Sequence, residues 1–341
     1  MKDTRLFTLK NRNGMTMTVS NLGGIVTELT APDRDGAFAD VLLGRPKVED
    51  YHGSGYMSAL IGRVGNRIRK GQFVLDGVRR QITLNAGNPG EKLALHGGVV
   101  GFDQRIWACR EMASPEGPAL EMTYLSPDGE EGFPGNLFVR IVYTLMDINA
   151  WRIQYWAVTD APTVVNLTQH AYFNLNGGVA DIRDHVLQMP CSRVTPTGAG
   201  LVPTGKVISV ARTPLDFRKP TPIGARIDAK HPLLANAGGY DHNYLIDRAG
   251  PSLARCAVLD DPASGRRMET WTTEPCVQLY TANFLAKGTR GKNRLVYGPR
   301  HGVCLETQHA PDAPNQPGFA SIRLDPGEVM QSTTVYAFST Y

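Results

Sequence analysis

Residues 6–21, LFTLKNRNGMTMTVSN, form two short runs of alternating apolar and polar side chains on either side of Asn13-Gly14. An Asn-Gly pair between two such runs is a strong signal for a β-hairpin, because both residues tolerate the positive φ angles of a tight turn. Two more hairpins are predicted downstream: residues 33–36 (DRDG) separate IVTELT from ADVLLG, and Asp76-Gly77 separates QFVL from VRRQITL. The chain therefore begins as a series of antiparallel strands.

Further runs rich in β-branched and aromatic residues extend this pattern. They are ALEMTYLS (residues 119–126), LFVRIVYTLM (137–146), RIQYWAVTD (152–160), CVQLYTANF (276–284), GVCLETQ (302–308) and TTVYAFST (333–340). No 3.6-residue apolar period is sustained, and the best helical fragment, residues 223–237, is interrupted by Pro232. We predict an all-β protein, a sandwich or barrel with little helix. No linker or repeat divides the chain, so we expect one domain over residues 1–341.

The composition excludes several classes of protein. The 341 residues carry a net charge of +4, and the densest basic stretch, residues 63–71, is too sparse for a nucleic-acid footprint. Five widely spaced cysteines without a C-x-x-C pair argue for a reducing compartment, against a disulfide framework and against a zinc site. No apolar run is long enough to span a bilayer. We expect a cytoplasmic protein with neither nucleic acid nor membrane as a partner.

Motifs for three common chemistries are missing. The sequence has no G-x-S-x-G nucleophile elbow, no G-x-x-x-x-G-K-[ST] phosphate loop and no strand-to-helix G-x-G-x-x-G. Asp241 beside His242, and Glu306 three residues before His309, suggest metal ligands at first sight. Residues three apart converge only on a helix, however, and the segment after Glu306 is rich in proline. We expect no metal and no cofactor.

The stretch VVNLTQHAYFNLNG, residues 164–177, places a histidine inside a predicted strand. With a period of two, one face carries Val165, Leu167, Ala171, Phe173 and Leu175, together with the polar Gln169. The other face carries Asn166, Thr168, His170, Tyr172 and Asn174. We interpret the first face as core. The second is either a wet surface or the floor of a polar cleft.

Glu306 lies in a similar setting, on a strand face with Cys304 and Gln308. A carboxylate and an imidazole in one cleft can act as general base and general acid near neutral pH. Other polar residues in comparable contexts are His96 in LALHGG, Arg67 in GNRI, Asp241 in GGYDHNYL and Gln278 in EPCVQLY. Each also fits a structural role in a turn, between strands or at a solvated edge. The residues alone leave catalysis and structure open.

At these positions the sequence closely resembles the aldose 1-epimerase (galactose mutarotase) family. The matching segments follow the family's order: GGIVTELTAPDRDG (23–36), IGRVGNRIRKGQF (61–73), LHGGVVGFDQRIW (95–107), VVNLTQHAYFNLNG (164–177), GGYDHNYLI (238–246), TTEPCVQLYTANF (272–284) and VCLETQHAPDAPNQPGF (303–319). The resemblance implies a large antiparallel β-sandwich, the galactose mutarotase-like supersandwich, with a sugar cleft across one sheet. It also implies an enzyme that interconverts the α and β anomers of free aldoses such as glucose, galactose or a pentose.

The resemblance assigns roles to the polar residues. Glu306 would be the general base and His170 the general acid, while five residues would bind sugar hydroxyls or assist at the ring: His96, Arg67, Asn66, Asp241 and Gln278. The choice of His170 over His96 as proton donor rests on the resemblance. The aromatic residues Trp107, Tyr172 and Tyr280 could support the C–H faces of a sugar, although Trp107 fits core packing better.

Some features depart from the family pattern, and other functions remain open. Gly65 stands where alanine is common, and the loop before His96, residues 84–98, is longer and less typical. Strand parity separates Asn66 from Arg67 unless Gly65 permits a bulge or turn. The alternatives are a non-catalytic carbohydrate-binding sandwich, a sugar-phosphate epimerase, and a glycoside hydrolase or lyase with Glu306 and Asp241 as paired carboxylates. We expect a monomer or a weak homodimer.

Overall fold

The computed structural model describes residues 3–53, 55–88 and 90–341, and their regular structure is almost entirely β. In chain order the strands are β1 (Leu6–Lys10), β2 (Thr16–Ser20), β3 (Val26–Pro32), β4 (Phe38–Asp40), β5 (Leu60–Ile61), β6 (Arg67–Arg69), β7 (Gln72–Leu75), β8 (Val78–Gln81), β9 (Ala86–Asn88), β10 (Glu91–Leu95), β11 (Ala108–Met112), β12 (Ala119–Ser126), β13 (Leu137–Met146), β14 (Ala150–Thr159), β15 (Thr163–Val164), β16 (Thr168–Gln169), β17 (Val186–Gln188), β18 (Arg193–Thr195), β19 (Ile208–Ser209), β20 (Thr221–Pro222), β21 (Asp241–Leu245), β22 (Ala254–Asp261), β23 (Arg266–Thr272), β24 (Cys276–Tyr280), β25 (Thr289–Arg290), β26 (Val296–Tyr297), β27 (Cys304–Gln308), β28 (Arg323–Leu324) and β29 (Met330–Thr340). The described helices are α1 (Pro232–Ala235) and 3-10 turns at Val48–Tyr51, Phe102–Gln104, Glu130–Gly132, Ala199–Leu201, Ile223–Ala225, Lys292–Arg294 and Ala313–Asn315. The all-β prediction is confirmed.

The predicted hairpins are present. Strands β1 and β2 pair antiparallel, but the loop spans residues 11–15 rather than two residues, because the Asn11 side chain accepts the Met15 N–H at 2.8 Å. Strands β7 and β8 join through a two-residue turn in which Asp76 and Gly77 have φ angles of 51° and 76°. Strands β3 and β4 pair across the predicted DRDG turn. Local turn chemistry thus fixes the first part of the chain.

A nine-stranded antiparallel sheet in the order β11-β12-β13-β14-β29-β23-β22-β17-β20 forms one layer. Strands β12 and β13 have the predicted bounds, and β14 and β29 begin two and three residues earlier than predicted. Side chains from its inner face, including Trp151 and Tyr336, join a core that also takes in the sheet β1-β2-β3-β4. This packing of sheets confirms the predicted sandwich.

A five-stranded sheet in the order β19-β18-β21-β24-β27 packs on the same core. Its inward side chains include Val277, Leu279 and Leu305, and the Leu305 carbonyl accepts the Tyr336 hydroxyl at 2.9 Å. Because side chains alternate along a strand, the opposite face carries Asp241, Asn243, Gln278, Tyr280 and Glu306. The sandwich therefore presents a row of polar side chains on the side away from the core.

Residues 164–177 do not form the predicted single strand. Two short strands, β15 and β16, alternate with irregular backbone, and the N–H groups of Val165, His170 and Phe173 donate to Ile322, Ala59 and Val303 respectively. The segment runs between several sheets, so both of its predicted faces are buried. Gln169 now has an explanation, because its side chain donates to the Tyr143 hydroxyl at 2.9 Å and accepts the His170 N–H at 2.7 Å.

Three smaller predictions also need correction. Strand β24 ends at Tyr280 instead of residue 284, and β27 begins at Cys304 instead of residue 302. Residues 223–237 contain a 3-10 turn and the four-residue helix α1, which starts at Pro232 because proline is tolerated in the first helical turn. In the described part of the chain, no helix has the length and apolar character needed to cross a membrane.

Candidate active site

The polar face of the five-stranded sheet supplies three of the predicted site residues. Antiparallel register places Gln278 opposite Glu306, and Asp241 opposite Tyr280 on the neighbouring strand pair. The Gln278 side chain donates to Asp241 Oδ1 at 2.5 Å. All three predicted residues are at most 5% exposed. The sheet thus holds a carboxylate pair and an amide in fixed positions.

A second wall comes from strands β6 and β10, where Arg67 pairs with Leu95. His96 follows β10 with a φ angle of 52°, and Asn66 precedes β6 with a φ angle of 62°. The two residues clamp each other: the His96 N–H donates to the Asn66 carbonyl at 3.0 Å, and the Asn66 N–H donates to His96 Nδ1 at 3.1 Å. These hydrogen bonds stabilise both residues in the left-handed backbone conformation, which residues other than glycine rarely adopt.

The left-handed turn at Asn66 brings both Asn66 and Arg67 into the site, which strand parity alone does not allow. The prediction placed this irregularity at Gly65, so it was wrong by one residue. The lack of a side chain at Gly65 avoids steric crowding instead, because a Cβ atom there would lie 3.1 Å from Thr168 Cγ2. In the atypical loop, residues 84–98, strands β9 and β10 pair antiparallel, and Pro89 lies outside the described residues.

His170 lies immediately after β16, with its ring among other aromatic rings. It stacks on Tyr172 with centroids 5.0 Å apart and meets His96 edge-on at 5.1 Å. Tyr280 lies 6.0 Å away, also edge-on. His170 Nε2 is 3.8 Å from Glu306 Oε1. The predicted base and acid therefore face each other across a short gap.

These residues line a cavity of about 360 Å³. Six of the seven predicted site residues are on its wall: Asn66, Arg67, His96, His170, Asp241 and Glu306. Gln278 is not on the wall and donates to Asp241 instead, so its contact with the ligand stays a prediction. Tyr172 and Tyr280 line the cavity, whereas Trp107 is 1% exposed and packs edge-on against Phe102 in the core.

Burial dominates the electrostatics of the cavity. It raises the pKa of Glu306 well above its ordinary value, helped by the negative charge of Asp241. It lowers the pKa of His170 to about 4 and that of His96 well below the ordinary value. Arg67 Nη2 lies 3.2 Å from Asp241 Oδ2, so these two charges compensate each other. At neutral pH both histidines are uncharged in the unliganded site.

The group His96, His170 and Glu306 invites a test as a metal site, since it offers three ligand atoms within 4.8 Å of one another. His96 Nδ1 accepts the Asn66 N–H, so the proton of the neutral ring must be on Nε2. A protonated nitrogen has no lone pair for a metal ion. The group thus suits hydrogen bonding and proton transfer better than coordination.

Sequence reasoning missed Tyr56, which packs against both histidines. Its ring centroid lies 4.5 Å from that of His96 and 6.2 Å from that of His170. The Tyr56 hydroxyl accepts Asn85 Nδ2 at 3.2 Å, and Asn85 Oδ1 accepts the Leu95 N–H at 2.7 Å. In the sequence these residues lie in loops without alternation. The glycines around Tyr56 were the one available signal of an unusual backbone.

Comparisons with known proteins agree with this geometry. The family model described as aldose 1-epimerase matches residues 5–337. Human galactose mutarotase is 41% identical over 319 residues, which cover 93% of this chain and 89% of the relative. Aldose 1-epimerase of Escherichia coli K12 is 34% identical over 337 residues, covering 98% and 95%. The crystal structure of an aldose epimerase homologue from C. elegans, 28% identical, superimposes with a TM-score of 0.88 and covers 99% of both chains. The chain belongs to the aldose 1-epimerase family.

Proposed function

We propose that this aldose 1-epimerase opens and recloses the ring of a free monosaccharide with Glu306 as general base and His170 as general acid. The observation that carries this assignment is the 3.8 Å approach of Glu306 Oε1 to His170 Nε2 inside the cavity. Glu306 Oε2 and His170 Nδ1 have no hydrogen-bond partner in the described structure. No protein hydrogen bond to these two atoms therefore opposes proton transfer by either side chain.

The chemistry needs two proton transfers. Glu306 takes the proton from the C1 hydroxyl while His170 gives a proton to the ring oxygen, so the bond between C1 and the ring oxygen breaks and an aldehyde forms. Rotation about the C1–C2 bond exposes the other face of the carbonyl. Reclosure with reversed roles returns both protons and gives the other anomer. The enzyme ends each cycle in its starting protonation state.

The hydrogen bonds of the two histidines support His170 as the donor. A second proton on His96 would have to go to Nδ1, and this would break the bond from the Asn66 N–H. His170 Nδ1 has no such bond to lose. His96 therefore serves as a neutral donor through Nε2 to a sugar oxygen, and His170 changes its charge.

The shifted pKa values fit this scheme when the protons on Glu306 and His170 are counted together. With the pKa of Glu306 raised and that of His170 lowered to about 4, a single proton on the unliganded pair lies on Glu306 rather than on His170. The reactive form, with the proton on His170, has the same proton count. A carboxylate with a raised pKa is also a stronger base once it is ionised. Hydroxyls of the bound sugar replace the lost solvation and favour the reactive form.

Arg67 and Asp241 position the sugar relative to Glu306 and His170. Their ion pair offers a planar donor and a carboxylate acceptor to vicinal hydroxyls. Gln278 fixes the Asp241 carboxylate from behind. Both Asp241 oxygens are therefore bonded to protein groups, which disfavours a hydrolase in which Asp241 acts as a second acid or nucleophile. The acid–base pair likewise exceeds what a carbohydrate-binding module needs.

Polarimetry tests the proposal directly. Pure α-glucose, α-galactose and α-xylose are dissolved, and the approach to anomeric equilibrium is followed with and without the protein. We expect faster equilibration of at least one sugar in proportion to enzyme concentration. If none of the three equilibrates faster than in buffer, the assignment is wrong.

A further inference from the structure

A second arginine, Arg45, lines the cavity. It lies on the wall together with Gly53 and with Thr289 of the short strand β25, and these residues are more exposed than the buried floor around Glu306. Arg45 is partly buried, and its Nε is shielded from solvent without a hydrogen-bond partner. It thus belongs to the outer wall of the cavity, away from the buried acid–base pair.

The charges on the wall leave Arg45 uncompensated. Arg67 forms an ion pair with Asp241, whereas no carboxylate in the described residues lies within 4.0 Å of the Arg45 guanidinium. The buried Arg63, by contrast, donates four hydrogen bonds, all to Ser126, Pro127 or Pro134. Four further arginines also have a shielded Nε without a partner, but among these described residues Arg45 is the one that lines the cavity. A shielded Nε–H without an acceptor loses solvation and gains nothing in return. A ligand acceptor at this wall would remove that cost.

The shape of the guanidinium indicates which acceptor fits. Its planar fork matches a carboxylate or a phosphate through two parallel hydrogen bonds, which a neutral hydroxyl cannot form. The buried floor, with Glu306 and His170, acts on the anomeric carbon and the ring oxygen. A substituent on the exocyclic carbon next to the ring oxygen extends away from the reacting bond. The outer wall is the part of the cavity that such a substituent can reach.

We propose that this enzyme accepts aldoses with an anionic exocyclic group, a hexuronate carboxylate or a 6-phosphate, and that Arg45 is the specificity residue that binds this group. This inference rests on the proposed epimerase function and adds a substrate class to it. Arg67, paired with Asp241, contacts the hydroxyls of either kind of sugar. Arg45 discriminates between charged and neutral sugars.

The test compares anionic with neutral sugars on the same enzyme preparations. NMR exchange spectroscopy of the two anomers at equilibrium gives kcat/KM for D-glucose, D-glucuronate and D-glucose 6-phosphate. The variants are Arg45→Gln, Arg45→Lys and, as a matched control, Lys47→Gln. Lys47 is exposed and outside the cavity, so this control removes one charge from the same loop without touching the wall. Because both sugars are measured on one preparation, any loss of folded protein cancels in their ratio.

We expect wild-type turnover of at least one anionic sugar, and an anionic-to-neutral ratio of kcat/KM that falls at least tenfold in Arg45→Gln. Arg45→Lys should recover part of the ratio, and Lys47→Gln should leave it within twofold. Loss confined to glucuronate identifies the carboxylate as the ligand, and loss confined to glucose 6-phosphate identifies the phosphate. Turnover of glucose without either anionic sugar, or an unchanged ratio in Arg45→Gln, overturns the inference alone. No turnover of any sugar overturns the proposed function as well.

Discussion

Replacing His170 and His96 by glutamine, one at a time, tests whether their imidazole rings have different roles. His170→Gln removes the ring that takes up a second proton, while its side-chain amide still fills the place of Nε2. General acid catalysis contributes about 10²- to 10⁴-fold to a rate, which corresponds to about 2.7–5.5 kcal/mol of activation free energy. We expect kcat of His170→Gln to fall by this factor, with a smaller change in KM.

His96→Gln should behave differently, because the structure makes His96 a neutral donor. The glutamine keeps an N–H near the position of Nε2 but leaves the Asn66 N–H without its acceptor. One neutral hydrogen bond contributes about 0.5–1.5 kcal/mol, so kcat/KM should fall by about 2- to 13-fold. The melting temperature should also fall, since a buried donor is left unpaired.

The assay is polarimetry with α-glucose at several concentrations, which separates kcat from KM for each variant. Circular dichroism and thermal unfolding serve as controls for the fold. A His96→Gln enzyme that loses more than 100-fold in kcat, beside a His170→Gln enzyme within tenfold of wild type, would refute the reasoning from the Asn66 hydrogen bond. The proton donor would then be His96.

Charge, proton count and buried hydrogen bonds provide three further tests. The negative charge of Asp241 is the second cause, next to burial, that raises the pKa of Glu306. Asp241→Asn removes this charge, so the pKa of Glu306 should fall and the alkaline limb of the pH–kcat profile should move to lower pH. A shift of this limb to higher pH, or no shift, would contradict the prediction. In the wild type the one-proton pair persists down to the lowered pKa of His170, so kcat should fall only near pH 4, and a steep decline already between pH 7 and 5 would count against the pair. Gln169→Leu removes the hydrogen bond from Gln169 to the Tyr143 hydroxyl and the one from the His170 N–H to Gln169, although the hydroxyl still donates to the Gly24 carbonyl and the N–H to the Ala59 carbonyl. Denaturant titration should therefore show a loss of about 0.5–1.5 kcal/mol per lost hydrogen bond in the free energy of unfolding; an unchanged midpoint would refute a structural role.

Features of the fold that depend on neighbours in sequence were predictable. The turn at Asp76-Gly77 follows from residues that tolerate positive φ angles, and β12 and β13 end where alternation ends. Parity also placed Glu306 on the correct face of β27, because that strand lies in a regular sheet with one face on the core. In such elements a local pattern and the tertiary structure agree.

Features that depend on distant partners were not predictable. Residues 164–177 alternate like one strand, yet their N–H groups bond to several separate segments, which no local period reveals. Tyr56 reaches the site through a loop, and Gln278 donates to Asp241, which lines the cavity. The turn at Asn66 likewise depends on a bond to His96, 30 residues away. The sequence motifs thus identify most of the site residues, whereas the positions of these residues depend on hydrogen bonds between distant parts of the chain.

The central claim, that Glu306 is the base, is tested most directly by Glu306→Gln in the polarimetric assay with α-glucose. The variant keeps the shape of the side chain but cannot accept the C1 hydroxyl proton as an ionised carboxylate. Glu274→Gln is the matched control, since Glu274 is equally buried, at 2% exposure, and pairs with His309 outside the cavity. We predict that Glu306→Gln loses at least about 100-fold in kcat while Glu274→Gln stays within threefold of wild type. A folded Glu306→Gln enzyme with kcat within tenfold of wild type would contradict the account.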